Sequence, residues 1–164
     1  MKFRDFKALA WCPWSLKTLA SGAAASAGAG TVRLWNVNQS SSQSHFPDSL
    51  EFNSQVTSLQ WSIQCKELLC THGAAATTDQ LPSTASQPVV LANAVSVYSY
   101  PSLCHVTTEY PATTAIAGSV LSPNGQKIIF AVPEEKQLKI WDVWGKRKEL
   151  RRQRSLVEGP CGIR

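Results

Sequence analysis

An all-β fold built from repeated small antiparallel sheets is what this chain of 164 residues predicts. One short run of a single shape recurs three times: Thr31-Val32-Arg33-Leu34-Trp35-Asn36, Ala94-Val95-Ser96-Val97-Tyr98-Ser99 and Gln137-Leu138-Lys139-Ile140-Trp141-Asp142. Each alternates apolar and polar side chains, the period of a strand, and ends on an aromatic followed by a small polar residue. A second run precedes each of them: Ala8 to Pro13, Ser58 to Ser62 and Gly118 to Pro123. Paired runs at intervals of about 40 to 60 residues mark a repeat protein with one small sheet per repeat.

The elements follow in order. After the Trp11 strand, Pro13-Trp14-Ser15 turns the chain, Thr18 to Gly22 makes a second strand, and an Ala/Gly/Ser loop leads into the Trp35 strand. Leu50-Glu51-Phe52 reads as a weaker outer fourth. The second repeat runs Val56 to Ser62, Glu67 to Gly73 and then the Tyr98 strand. The third runs Ile116 to Ser122, a Pro123-Asn124-Gly125 turn, Lys127 to Val132 and the Trp141 strand. Asn-Gly between two apolar runs is the strongest short hairpin signal in the chain. Trp11, Trp35, Trp61, Tyr98 and Trp141 are expected in the core, because large aromatics carry much of the burial in a thin sheet. This gives units at 1–53, 54–110 and 111–145, with a polar, proline-broken insert at 74–92 expected to be disordered, and a basic tail at 146–164.

Charge is segregated. Residues 1–145 hold nine Lys/Arg and nine Asp/Glu, whereas 146–164 hold seven Lys/Arg and two acids. The tail therefore carries the whole net charge of +5. No apolar run approaches the roughly 18 residues of a membrane span, and the N-terminus lacks a signal-peptide core, so no membrane partner and an intracellular chain are expected. The five cysteines (12, 65, 70, 104 and 161) are irregularly spaced, and no paired Cys-x-x-Cys motif supports a metal site at Cys65, Cys70 and His72. Gly28-Ala29-Gly30 precedes a β-type run rather than a helix, which argues against a phosphate cradle. No nucleophile elbow, paired zinc ligands or Walker loop appears, so neither catalysis nor a cofactor is expected.

Sheets that end in Leu-Lys-Ile-Trp-Asp strands resemble blades of WD-repeat β-propellers, making the fold a partial propeller of about three four-stranded antiparallel blades. Longer words sharpen the likeness. Phe6 to Pro13, Leu19 to Gly22 and Val32 to Asn36 resemble one blade of the Fizzy and Fizzy-related family of anaphase-promoting complex activators. Ser54 to Ser62, Lys66 to Leu69, Thr71-His72-Gly73 and the Tyr98 to Leu103 stretch are similar to the next, and Ile163-Arg164 matches the family's terminal Ile-Arg.

The resemblance implies a substrate adaptor of a ubiquitin ligase, present in nucleus and cytoplasm. Its partners would be degron-bearing proteins, of the destruction-box and KEN types, and a tetratricopeptide-repeat subunit of the ligase, which would take Ile163 and Arg164. By the same resemblance Gln55 falls on a degron-contacting position and Glu135 is a candidate for holding the destruction-box Arg, while the family's partner Arg is replaced by Ala115. The cluster Lys146, Arg147, Lys148, Arg151, Arg152 and Arg154 admits three readings: a solvated tether, a nuclear-import signal or a phosphate contact. No aromatic is interleaved with these charges, which disfavours single-stranded nucleic acid. The alternatives are a generic WD-repeat scaffold with a nucleic-acid-binding tail, or an inactive C-terminal fragment, since propellers close with four to eight blades and three are present.

Overall fold

Every second side chain of a strand lies on the same face of its sheet, and here the rows so formed decide how the sheets stack. The protein, seen in a computed structural model, is described over residues 5–24, 29–38, 45–75 and 91–144. Strands β1 (Asp5–Trp11), β2 (Thr18–Ala24), β3 (Gly30–Asn36) and β4 (His45–Phe52) form a first sheet in sequential order. A second contains β5 (Ser54–Trp61), β6 (Glu67–Ala75), β7 (Val95–Ser99) and β8 (His105–Glu109). The third contains β9 (Gly118–Leu121), β10 (Lys127–Val132) and β11 (Gln137–Asp142). All neighbouring strands are antiparallel.

The sheets are the expected blades, with one difference: the third has three strands among the described residues rather than four. The description ends at Trp144, two residues past β11. Of the 74–92 stretch, Ala74 and Ala75 continue β6 and Leu91 is buried in the core, whereas 76–90 lie outside the described residues.

Two apolar layers hold the stack. Val32 and Leu34 of β3, with Ala8 and Ala20, pack against Val56, Leu59 and Trp61 of the second sheet. Trp61 also donates its indole N–H to the carbonyl of Ala10 at 3.0 Å. On the opposite side of the second sheet, Leu69, Val95 and Val97 meet Ile128, Phe130 and Val132 of β10. Each fully buried Leu, Ile or Phe of this kind contributes about 1.5–3 kcal/mol. Gly30 allows the first two sheets to approach closely, because a Cβ there would strike the Ser54 carbonyl.

The aromatic row does not all lie inside. Tyr98 and Trp61 are buried, Trp35 and Trp141 are half-buried, and Trp11 is 59% exposed, contrary to its expected place in the core. The register explains it. Trp11 pairs with Leu19, and Leu19 with Trp35, on the face of the first sheet that points away from the second.

Candidate functional site

Of the residues singled out for partner binding, the described ones, Gln55 and Glu135, lie at one end of the stack, where β5 begins, β6 ends and the β10–β11 turn lies. At the start of β5 the register slips between Ser54 and Val56 and again between Val56 and Ser58. The first slip sets two β6 residues, Gly73 and Ala74, opposite Gln55, and the second leaves Thr57 as the extra residue of β5, so Gln55 lies between two bulges, devices that re-aim side chains at a sheet end. Its Cβ lies 3.8 Å from where a Cβ on Gly73 would be, and the Ile116 carbonyl lies 3.6 Å from that point. Absence of a side chain at Gly73 thus leaves Gln55 half-exposed beside the segment carrying Ala115.

That segment is pinned from three sides. Glu135 accepts from the Thr113 amide and hydroxyl, both at 2.8 Å, and its other oxygen pairs with Lys139. Lys139 in turn donates to the Pro111 carbonyl at 2.9 Å, and the Asn93 side-chain amide donates to the Thr113 carbonyl at 2.9 Å. Hydrogen bonding from Lys139, then from Thr113, draws the Glu135 carboxyl down to about 2. Glu135 is therefore an ionised acceptor with both oxygens engaged. A ligand guanidinium would have to share it with Lys139.

Beneath Gln55 lies a buried polar chain that spacing did not reveal. His72 bridges Ser54 (Nδ1 to Oγ, 3.1 Å) and Ser96 (Nε2 to Oγ, 2.7 Å) and meets the Phe52 ring edge-on at 4.8 Å. Burial lowers its pKa to about 4, so the ring is neutral at ordinary pH. Both ring nitrogens are spoken for by hydroxyls, and Cys70, buried nearby on the same strand, has its thiol pushed up by the same desolvation. The remaining predicted residues, Lys146, Arg147, Lys148, Arg151, Arg152, Arg154, Ile163 and Arg164, lie outside the described residues.

Three stacked meanders whose third strands end on an aromatic define the class: these are blades of a WD-repeat propeller. The blades overlay one chain of a crystal structure of the Mitotic Checkpoint Complex with a TM-score of 0.65 and 30% identity, over 85% of this chain and 36% of that one. In sequence, "Cell division cycle 20.4, cofactor of APC complex" of Arabidopsis thaliana is 30% identical over 139 residues, 85% of this chain. The B-type cell cycle switch protein ccs52B of Medicago truncatula is 31% identical over 84% of it, and the WD repeat-containing protein srw1 of Schizosaccharomyces pombe 30% over 84%. No protein-family model matches. The chain belongs to the Fizzy and Fizzy-related family of WD-repeat proteins. It spans about a quarter of the length of these relatives, 26%, 24% and 21% respectively.

Proposed function

We propose that this chain is a protein-binding part of a substrate-recruiting adaptor of the anaphase-promoting complex and performs no chemistry of its own. The observation that carries the reading is the 30% identity, across 85% of the chain, to a protein named as a cofactor of that complex. Supporting it is the end of the stack around Gln55, where two bulges, a glycine and a pinned loop present polar side chains on a rigid support. A degron would lie along this end, with Gln55 as a hydrogen-bonding contact and Glu135 as the charge that attracts a basic side chain. Ile163 and Arg164 would dock on a tetratricopeptide-repeat subunit through an apolar side chain, a guanidinium and the free carboxylate read together. Two weak contacts joined by one chain reinforce each other through effective concentration. The basic cluster from Lys146 to Arg154 would direct nuclear import of a protein shared between nucleus and cytoplasm.

Capture of the tagged full chain from cell extract tests the assignment. Subunits of the anaphase-promoting complex are expected to co-purify, and deletion of Ile163-Arg164 is expected to lower their recovery about tenfold or more with an unchanged circular dichroism spectrum. Equal recovery without the dipeptide contradicts the tail assignment. No recovery with the intact chain contradicts the ligase reading itself.

A further inference from the structure

The second strands of the three sheets can be compared position by position, because each sets one residue opposite the aromatic that closes the next strand: Leu19 faces Trp35, Leu68 faces Tyr98 and Ile128 faces Trp141. Four residues further on stand Ala23, His72 and Val132, all buried. Two sheets fill that position with an apolar side chain. The sheet that displays Gln55 places an imidazole there, and a polar group in a core costs stability unless its hydrogen bonds are made.

Those bonds run to the residue from which Gln55 projects. His72 Nδ1 lies 3.1 Å from the Ser54 hydroxyl and Nε2 lies 2.7 Å from the Ser96 hydroxyl, with both serines fully buried. The ring thereby joins β5 to β7 across β6. It does so where the main-chain ladder is poorest, since Val56 and His72 are the one pair between the two register slips. The other side of Ser54 is closed by the first sheet, whose Gly30 leaves room for the Ser54 carbonyl. Phe52 of β4 meets the ring edge-on. The titratable groups on the same face of the sheet are Cys70 on β6 and Tyr98 on β7. Burial pushes the Cys70 thiol up and the Tyr98 phenol to about 12, so neither supplies a negative charge to a protonated ring.

We propose that His72 is a positioning residue: through Ser54 it fixes the start of β5, and with it the direction of Gln55, and it lets that segment go when it takes up a proton. Its effect on binding rests on the reading of Gln55 as a peptide contact; its hold on β5 does not. A neutral imidazole offers one donor and one acceptor, which two hydroxyls satisfy together. A protonated ring would be a buried charge without a partner, so protonation comes with opening of the segment to water. Opening is favoured as pH falls below the ordinary histidine value of 6.5, and the opened population rises about tenfold between pH 7.5 and 5.5.

Hydrogen–deuterium exchange of the full chain without ligand tests it, read at residues 53–57 and corrected for the intrinsic effect of pH. Protection there should fall about tenfold from pH 7.5 to 5.5. His72→Asn, whose neutral amide still reaches Ser54, should keep most of the protection and lose the pH dependence. Ser54→Ala and His72→Leu should each lower it several-fold at pH 7.5, with the centre of β10 still protected and the circular dichroism spectrum unchanged. Protection at 53–57 that does not respond to pH in the unsubstituted chain overturns the proposal. So does an Asn variant that responds as the unsubstituted chain does, or a Ser54→Ala chain with protection unchanged. A KEN-type degron peptide should bind the His72→Leu chain several-fold more weakly than the unsubstituted one, and equal binding to both overturns the claim that His72 directs Gln55. If the peptide binds neither, the reading of Gln55 fails, while exchange at 53–57 still decides the hold of His72 on β5.

Discussion

His72 shows how much a single buried side chain can bind stability to pH. Its pKa falls from the ordinary 6.5 to about 4 because burial penalises the charged ring. The unfolded chain therefore takes up a proton below pH 6.5 while the folded one refuses it until about pH 4. Stability is complete above 6.5 and is lost as pH falls through that window. Between pH 6.5 and about 5, above the carboxylate range, unfolding free energy measured in urea should drop by ~2 kcal/mol. A flat profile there would mean that the ring is solvated. In the sequence His72 stands near Cys65 and Cys70 without the spacing of a metal site, and within the word Thr71-His72-Gly73. Its true partners, Ser54 and Ser96, lie 18 and 24 residues away and are brought together by sheet pairing, which spacing along the chain cannot display.

Among the elements, the strands that carry an apolar row were readable and those that do not were hidden. The runs ending in Trp35, Tyr98 and Trp141 alternate clearly and fall on β3, β7 and β11. The hairpin at Asn124-Gly125 is equally plain, with Gly125 at φ 68°. By contrast β8, His105–Glu109, is short and largely exposed, and its β-branched Val106, Thr107 and Thr108 form no apolar row to mark it. The bulges beside Gln55 are hidden for another reason: register is fixed by the partner strand rather than by the residues that slip. The loop before β9 depends on Glu135, whose role as an anchor for Thr113 could not be read from a charge pair in a turn. Glu135→Gln keeps the size but removes the charge that Lys139 and Thr113 share. The Thr113 amide should then exchange with solvent several-fold faster, while amides in the centre of β10 stay protected. Unchanged protection at Thr113 would show that Asn93 and Lys139 hold the loop without it.

Across the whole molecule, the proposed function rests on arrangement rather than on reactive chemistry. The second sheet is covered on both faces, and Gln55 is displayed at one end of it. Family membership was legible because whole words, such as Thr71-His72-Gly73, survive in order along the chain. The outward turn of Trp11 was not, since an aromatic at the end of a strand looks the same whether or not another sheet covers it. Hydrogen–deuterium exchange of the full chain with and without a KEN-type degron peptide tests the central claim most directly. Slowed exchange confined to the start of β5, the end of β6 and residues 113–117 is the predicted result, and Gln55→Ala should abolish it. Peptide binding that protects other surfaces instead, or no change at saturating peptide, would contradict the account.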